Sequence, residues 1–368
     1  MVLSDVIVIG AGIAGAATAW ALQRAGLRVT VLEKEHPCSG GSLAAGAFLS
    51  PKISKPSAYK TWLNRSLAYA LEHYTTHFPQ LLHKKGLWKL PLDSEDAARL
   101  QSYEPYIDDI RWQKRGTGYF FPDAGIIEPK ALIEALLAHS EVVQHAEVLS
   151  LSREGDIWQA STRNGHYRAR YIVLATGSAS DLIPLPYLRR KTIGGYRYDV
   201  RFDGQEEIRC NIHKDLSVSA YLEEEKKTIV GATHIRQRTD LDKAALEDSY
   251  GLMTGVAQFV AMPNARILRH YSGYRSFPYD YFPILGPLVD AQRTLRHYPF
   301  IMQGARVPAS RYIYYPDLYI HTALGSRGFV FAPYNARLLA EAIVQDKPID
   351  AHLLPATRFR KWARKQQK

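Results

Sequence analysis

The sequence contains little cysteine and no long apolar run. Its two cysteines, Cys38 and Cys210, are too few for a disulfide framework or a cysteine-rich metal site, and this usage fits a reducing compartment. No apolar stretch approaches the roughly 20 residues that a membrane-spanning helix needs. Because residues 1–4 lead directly into an apolar strand pattern, we also expect no signal peptide. These absences predict a cytoplasmic protein without a membrane partner.

Acidic residues are in the minority. The 368 residues include 47 lysines and arginines against 36 aspartates and glutamates, which gives a net charge of +11. Such an excess attracts polyanions, so nucleic acid is a candidate partner, whereas simple solubility explains the same excess without any partner. The 13 histidines show no grouping typical of a metal site, and we predict no metal.

A glycine-rich turn between two apolar strands organises the first 33 residues. The β-branched run 6–9 is followed at once by Gly10, Gly12 and Gly15, and a second apolar run ends at Glu33. Gly10 permits a tight turn, Gly12 lets backbone N–H groups approach a pyrophosphate, and Gly15 allows close packing of helix on strand. Glu33 lies where a carboxylate accepts hydrogen bonds from ribose hydroxyls, and its charge disfavours a 2′-phosphate. The motif predicts a site for FAD or NAD rather than NADP.

Three later segments point to the same ligand. Residues 39–47 are mostly small, which lets the backbone approach a flat ring such as a flavin. The apolar strand 171–174 ends in small residues, and ligands of doubly wound sheets lie beyond the carboxyl ends of the strands. The strand 318–322 leads into a second glycine turn, 325–328, and then a helix. We expect these segments to meet the first glycine turn over one cofactor.

The order of these patterns predicts an α/β fold, with a Rossmann-like FAD-binding domain and a substrate domain built on an antiparallel sheet. We predict a discontinuous FAD-binding domain over residues 1–84, 125–190 and 273–368. The substrate domain is predicted over residues 85–124 and 191–272.

Local patterns add three expectations. Helices are predicted over residues 58–82 and 241–259. Three prolines and two glycines within residues 273–287 predict an ordered loop without regular structure there. The tail 358–368 carries six basic residues and Trp362, which suits either phosphate binding or a solvated terminal helix.

These segments, in this order, resemble the D-amino-acid oxidase and glycine oxidase family of FAD enzymes over nearly the whole chain. The most specific feature is the spacing Gly-x-Arg-x5-Asp-x2-Pro-x2-Gly over residues 273–286. It is similar to the family's loop that carries the arginine for the substrate carboxylate. Residues 325–328 and the helix after them resemble the family's last flavin contact.

Within the family, residues 42–46, 119–129 and 315–328 are most similar to the oxidase half of bifunctional tRNA-modifying enzymes. No segment resembles their methyltransferase half, so coupled methylation would need a separate methyltransferase. The sequence also departs from the family's loop, because three aromatic residues stand where smaller or polar ones are common. They are Tyr279, Tyr281 and Phe282.

The resemblance implies FAD-dependent oxidation of the carboxymethylaminomethyl group of a tRNA wobble uridine. The products would be aminomethyl-uridine and glyoxylate, with oxygen as the electron acceptor. One alternative is a free-standing oxidase of glycine, sarcosine or another small secondary amine. The other is a flavin-bound tRNA-binding protein without turnover.

The resemblance also implies residue roles. Arg275 would bind the substrate carboxylate, and its alternative role is to tie the loop to Asp280. Arg327 would lie beside the flavin N1–C2=O edge, and its alternative role is structural, at the start of a helix. The implied cofactor contacts are Gly10, Ala11, Gly12, Ile13, Ala14, Gly15, Glu33, Lys34, Ser42, Ala45, Gly46, Val148, Ala175, Thr176, Gly177, Gly325, Ser326 and Gly328.

Overall fold

The described residues form two eight-stranded β-sheets and one three-stranded sheet, whose strands are interleaved along the chain. The structure is a computed structural model that describes residues 4–179, 181–236 and 239–366. The strands of the first sheet are Ser4–Ile9, Val29–Leu32, Glu141–Val143, Val148–Glu154, Ile157–Thr162, Gly165–Leu174, Ile284–Val289 and Tyr314–Thr322.

Parallel strands form the centre of the first sheet. The first strand, Ser4–Ile9, lies between Val29–Leu32 and Gly165–Leu174 and runs parallel to both. Helices cover this region, so residues 6–9, 29–32 and 172–174 are buried on both faces and are apolar except for Thr30. The helix Ile13–Arg24 joins the first two strands and packs against the helix Gly328–Gln345. This is the predicted Rossmann-like unit.

The second sheet is mostly antiparallel. Its two longest strands, Arg190–Arg201 and Arg266–Pro278, pair along their full length. The exception is Asn211–His213, which runs parallel to Leu87–Lys89. Its remaining strands are Gln113–Arg115, Gly118–Phe121, Ser217–Val218 and Thr228–Gly231, and the three-stranded sheet consists of Phe48–Leu49, Leu82–His83 and Gly125–Ile127.

The helices of the described ranges are distributed over both sheets. None of them is long and apolar enough to cross a membrane. They are Ile13–Arg24, Ala58–His77, Ser94–Gln101, Pro129–Leu137, Leu241–Glu247, Ser249–Ala257, Ala291–His297, Gly328–Gln345 and Pro355–Ala363.

The predicted fold class is confirmed, and several predicted elements need adjustment. The helix predicted over 58–82 ends at His77, and the helix predicted over 241–259 is two helices that meet at Asp248. The residue ranges of the two domains stay a prediction. The second sheet does continue past residue 272, because its last strand runs to Pro278.

The prediction of an irregular loop over 273–287 is wrong. Only residues 279–283 lie outside strands, between Arg266–Pro278 and Ile284–Val289. Pro278 is the last residue of its strand, so its missing N–H ends the ladder without breaking it. Pro287 lies in a strand that pairs on one side only, with Tyr314–Thr322, and an edge strand tolerates proline.

The two alternatives left open for the tail, phosphate binding or a solvated terminal helix, both fail for its first residues. The helix Pro355–Ala363 docks on the core, where Phe359 is fully buried against Tyr187 and Tyr312. Arg358 is buried beside it and donates hydrogen bonds to backbone carbonyls. Trp362 packs on the same cluster, so it is not a free stacking surface. Lys368 lies outside the described residues.

A buried ion network stabilises the contact between the second sheet and the rest of the chain. Arg197 is 1% exposed, and its NH1 lies 2.6 Å from the Asp199 carboxylate. Lys227 Nζ lies 3.1 Å from the same carboxylate and 3.7 Å from Glu128. The Nε of Arg197 also donates to the carbonyl of Leu43, 3.4 Å away, in the loop of small residues.

We expect Asp199→Asn to lower the free energy of unfolding by about 3–5 kcal/mol, because it leaves two buried cations without their shared carboxylate. Asp156→Asn is the matched control, since that side chain is 93% exposed in its contact with Arg153. The control should change stability by less than about 1 kcal/mol. Urea unfolding measures both, and equal effects would show that the network is not stabilising.

Candidate active site

A cavity of about 1070 Å³ lies beyond the carboxyl ends of the first-sheet strands and is lined on its other side by the second sheet. It brings together both predicted arginines and most of the predicted cofactor contacts. Two of the predicted contacts, Ala11 and Gly15, do not line it. The predicted residues that do are Gly10, Gly12, Ile13, Ala14, Glu33, Lys34, Ser42, Ala45, Gly46, Val148, Ala175, Thr176, Gly177, Arg275, Gly325, Ser326, Arg327 and Gly328.

The first glycine turn is closely packed. Gly10 has φ +107°, and a Cβ there would lie 2.5 Å from the Ala175 carbonyl oxygen. A Cβ on Gly15 would lie 1.8 Å from the Gly10 carbonyl oxygen, so Gly15 serves helix packing behind the cavity. The hydroxyl of Ser42 accepts a hydrogen bond from the N–H of Ile13, 3.0 Å away, at the helix start. The two strand ends and the loop of small residues therefore converge at one point.

Glu33 ends the second strand with its carboxylate held by backbone donors. The side chain is 7% exposed and accepts hydrogen bonds from the N–H groups of Ala11, at 2.7 Å, and Glu35, at 3.1 Å. Ala11 therefore acts on this site through its backbone, although it does not line the cavity. No cationic side chain within the described residues forms an ion pair with Glu33. A buried carboxylate at the cavity wall fits the hydroxyls of a ribose.

Arg275 lies in the middle of the second-sheet strand Arg266–Pro278, and its guanidinium is half-buried in the cavity wall. NH2 donates to the carbonyls of Gly194, at 3.2 Å, and Thr233. NH1 lies 3.4 Å from His234 Nε2 and 3.5 Å from Ser326 Oγ. Burial lowers the pKa of Arg275 to about 10. The side chain is thus a desolvated cation at the cavity wall.

No carboxylate of residues 4–179, 181–236 or 239–366 forms an ion pair with Arg275. The suggested alternative partner, Asp280, instead forms an ion pair with Arg358, with an N–O distance of 3.0 Å. Removing a charge from water without a counter-ion is unfavourable, so this position favours an anionic ligand.

Glycines make room for this guanidinium and hold its strand against the loop of small residues. A Cβ on Gly195 would lie 2.1 Å from NH2 of Arg275. A Cβ on Gly41 would lie 2.4 Å from the carbonyl oxygen of Tyr274, and one on Gly273 would lie 2.9 Å from the Cα of Gly41. Backbone approaches backbone here, so the position of Arg275 is coupled to the loop 39–47.

Residues 5–342 match the family model described as DAO, FAD dependent oxidoreductase. The chain belongs to this family of FAD-dependent oxidoreductases. The predicted family, the FAD cofactor and an oxidoreductase acting on amines are confirmed.

Among curated proteins, the chain is similar to the tRNA 5-methylaminomethyl-2-thiouridine biosynthesis bifunctional protein MnmC. The identity is 28% over 378 residues for the protein of Ectopseudomonas mendocina, covering 93% of this chain and 56% of that protein. It is 28% over 403 residues for the protein of Aeromonas hydrophila, covering 98% of this chain and 59% of that protein. The chain thus spans somewhat more than half the length of these relatives.

Among solved structures, glycine oxidase from Geobacillus kaustophilus superposes with a TM-score of 0.70 at 19% identity, over 95% of this chain and 96% of that one. Iminodiacetate oxidase from Chelativorans sp. BNC1 superposes with a TM-score of 0.67 at 19% identity, over 94% and 96%. At this identity the likeness shows the fold.

The cavity has groups suited to each part of FAD. Glu33 would hold the ribose hydroxyls, and the turn from Gly10 would receive the pyrophosphate at the start of its helix. At the other end, NH1 of Arg327 donates to the carbonyl and to the hydroxyl of Ser50, the latter at 2.7 Å. No ion pair to Arg327 is found in the described part of the chain, and burial lowers its pKa. Its charge would stabilise the reduced flavin edge.

Sequence reasoning missed several groups around the two arginines. His234 follows the buried strand Thr228–Gly231, and His213 and Tyr59 also line the cavity. Burial, with smaller contributions from Lys89 and Arg327, lowers the pKa of His213 to about 3, so it is neutral. One sequence signal could have indicated that the chain near His234 lines the cavity. Residues 231–233 are small and follow a buried strand, as residues 175–177 do. No spacing motif marked the histidines.

No group of three or more histidine, cysteine, aspartate or glutamate side chains is arranged to hold a metal ion, as far as the described residues extend.

We expect Gly10→Ala to abolish stable FAD binding, because a Cβ at φ +107° would collide with the Ala175 carbonyl and displace the turn. Gly26→Ala is the matched control, since Gly26 also has positive φ, +89°, but open space around it. The ratio of flavin to protein absorbance after purification measures the effect. If Gly10→Ala retained full flavin, the turn would not be the pyrophosphate site.

Proposed function

We propose that this chain oxidises the carboxymethylaminomethyl group of a tRNA wobble uridine to an aminomethyl group and releases glyoxylate. The observation that carries the proposal is Arg275, a desolvated cation without a carboxylate partner in the described ranges, at the wall of the FAD cavity. The similarity to MnmC proteins and the net charge of +11 support a tRNA substrate. A cytoplasmic location and a separate methyltransferase are parts of the same proposal.

The substrate would carry a secondary amine between the uracil methylene and a glycyl carboxylate. NH2 of Arg275 is engaged by two backbone carbonyls, so the carboxylate would be received by NH1 together with the hydroxyl of Ser326, 3.5 Å away. The carboxylate would thus be bound by one arginine nitrogen and one hydroxyl, and not by two parallel N–H···O bonds from one guanidinium. The carboxylate would then lie next to the glycine turn that begins at Gly325.

The role of the protein would be to orient the glycyl carbon and remove one proton. FAD, when bound, supplies the acceptor for the hydride that leaves this carbon. The amine must also lose its proton to give the imine, which water cleaves into aminomethyl-uridine and glyoxylate. Oxygen would accept the electrons finally and give hydrogen peroxide.

His234 is placed to take the amine proton. Its Nε2 lies 3.4 Å from NH1 of Arg275 and 3.4 Å from Ser326 Oγ, so it faces the proposed carboxylate site. Burial and then the charge of Arg275 lower its pKa, Asp215 raises it, and Arg236 lowers it further. His234 is therefore neutral at pH 7, as a proton acceptor must be.

We expect Arg275→Ala to lower kcat/KM for the modified tRNA by at least about 30-fold, because truncating one partner of a desolvated charge pair costs about 2–5 kcal/mol. FAD should remain bound. Arg293→Ala, at an exposed arginine outside the cavity lining, is the control. The measurement is anaerobic loss of flavin absorbance on mixing.

The same assay separates the proposed function from its alternatives. Bleaching by tRNA that carries carboxymethylaminomethyl-uridine, and not by sarcosine or glycine, supports the proposal. Bleaching by the free amines alone would indicate a small-amine oxidase. Binding of tRNA without any bleaching would indicate a binding protein without turnover.

A pH profile tests His234. The pKa of His234 is lowered, so the group is neutral at pH 7 and becomes protonated as the pH falls through that pKa. We expect kcat/KM to fall on this acid side in the wild type. His234→Gln should lower kcat/KM at pH 7 by roughly 100-fold and should remove the decrease of kcat/KM that comes from protonation of His234. The decrease of kcat/KM that comes from protonation of the substrate amine should persist. An unchanged acid limb in the variant would exclude His234 as the proton acceptor.

A further inference from the structure

The rim loop, residues 279–283, connects the Arg275 strand to the first sheet and presents two tyrosines to solvent. Tyr279 is 53% exposed and Tyr281 is 72% exposed. Tyr281 also lines the cavity, at a centroid distance of 5.8 Å from the ring of Tyr59. Large apolar side chains on a surface are informative when they border a binding site.

The intervening residues anchor the rim loop to the body of the protein. NH2 of Arg358 donates to the Asp280 carboxylate at 3.0 Å and to the carbonyls of Phe282, at 2.7 Å, and Pro283, at 3.1 Å. The ring of Phe282 stacks on His352 at a centroid distance of 4.8 Å. Asp280 and Phe282 contact the body of the protein, whereas Tyr279 and Tyr281 are exposed to solvent. The two tyrosines therefore lie on an anchored loop.

Tyr281 adopts a backbone conformation that its side chain disfavours. Its φ is +67°, in the left-handed region where bulky residues are rare. Glycine would relieve this strain, and the exposed ring contributes little to the core. Strained residues cluster at ligand-binding sites, where the surrounding structure holds them in place. The strain therefore points to a use for the ring outside the fold.

Cations flank the other tyrosine. The guanidinium of Arg189 lies 5.0 Å and the ammonium of Lys191 lies 4.6 Å from the ring centroid of Tyr279. Both cations are exposed, and neither forms an ion pair with a carboxylate that the structure describes. The rim therefore combines two exposed aromatic side chains with positive charge that lies over one of their rings, and both features complement unpaired bases and their phosphates.

We propose that the rim loop is a stacking platform for the unpaired bases next to the target uridine, with Arg189 and Lys191 contacting the phosphates. The inference rests on the proposed function and assigns the recognition of single-stranded RNA to Tyr279 and Tyr281. An anticodon loop presents such bases on both sides of its wobble position.

Two substrates with the same reacting group test the platform. One is an anticodon stem-loop RNA that contains 5-carboxymethylaminomethyluridine, and the other is the free nucleoside. We expect Tyr281→Gly and Tyr279→Ala each to lower kcat/KM for the RNA by roughly 5- to 100-fold, the range that loss of one stacked base corresponds to. Turnover of the nucleoside should stay the same in Tyr279→Ala, which lies outside the cavity lining, and should fall less than turnover of the RNA in Tyr281→Gly. Tyr250→Ala, at an exposed tyrosine outside the cavity lining, should change neither.

Stability and binding provide independent readouts. Tyr281→Gly should raise the midpoint of urea unfolding, because glycine accepts the positive φ, while it weakens binding of the unmodified stem-loop measured by fluorescence anisotropy. If Tyr281 only maintained the fold, its replacement would not raise stability and weaken RNA binding at the same time. Arg189→Ala and Lys191→Ala should reduce the salt dependence of binding.

Three results would overturn the platform. Equal losses with RNA and nucleoside would show that the rim loop closes the cavity rather than binding RNA. If Tyr281→Gly bound and oxidised the stem-loop as well as the wild type, the platform would be wrong while the proposed function stood. If the wild type neither bound nor oxidised the RNA, both proposals would fail.

Discussion

The desolvated guanidinium of Arg275 is the constraint on which the site depends. A cation at a cavity wall without a counter-ion is unfavourable unless a ligand supplies the negative charge. The chain provides two backbone carbonyls for NH2 and leaves NH1 directed toward Ser326 and His234. This arrangement favours an anionic ligand, and burial together with the charge of Arg275 lowers the pKa of the neighbouring His234. In the proposed reaction, binding and proton removal would therefore both depend on Arg275.

Close backbone contacts relate this arginine to the flavin. Gly41 and Gly273 let the loop of small residues lie directly on the Arg275 strand, and Gly195 makes room for the guanidinium. A side chain at Gly41 or Gly273 would push the loop away from this strand, and one at Gly195 would collide with the guanidinium. The distance between the Arg275 strand and the loop of small residues is thus set by backbone, which holds geometry more tightly than flexible side chains do.

Particular residues show how far local rules reach. The glycine turn at Gly10 and the acid at Glu33 were predicted because chain-local geometry decides both. The prolines of residues 278–287 were misleading, since their effect depends on whether a strand has a neighbour, and strand pairing is not local. For Arg358 the sequence left phosphate binding and a solvated helix as alternatives for the same reason: its charge is visible in the sequence, and its burial against the rim loop is not. His234 was missed because no spacing connects it to Arg275.

The sequence by itself determined the Rossmann-like unit and a dinucleotide site, because both depend on residue types at short, fixed spacings, while FAD and the arginine expected to bind a carboxylate were implied by the resemblance to a family. Only the tertiary structure decided which acid pairs with which arginine, that His234 and Ser326 flank NH1, and that Tyr279 and Tyr281 face outward on an anchored loop. These relations join residues 41 to 92 positions apart, or the opposite ends of the chain. Packing of the two sheets brings them together, and packing is a property of the whole chain.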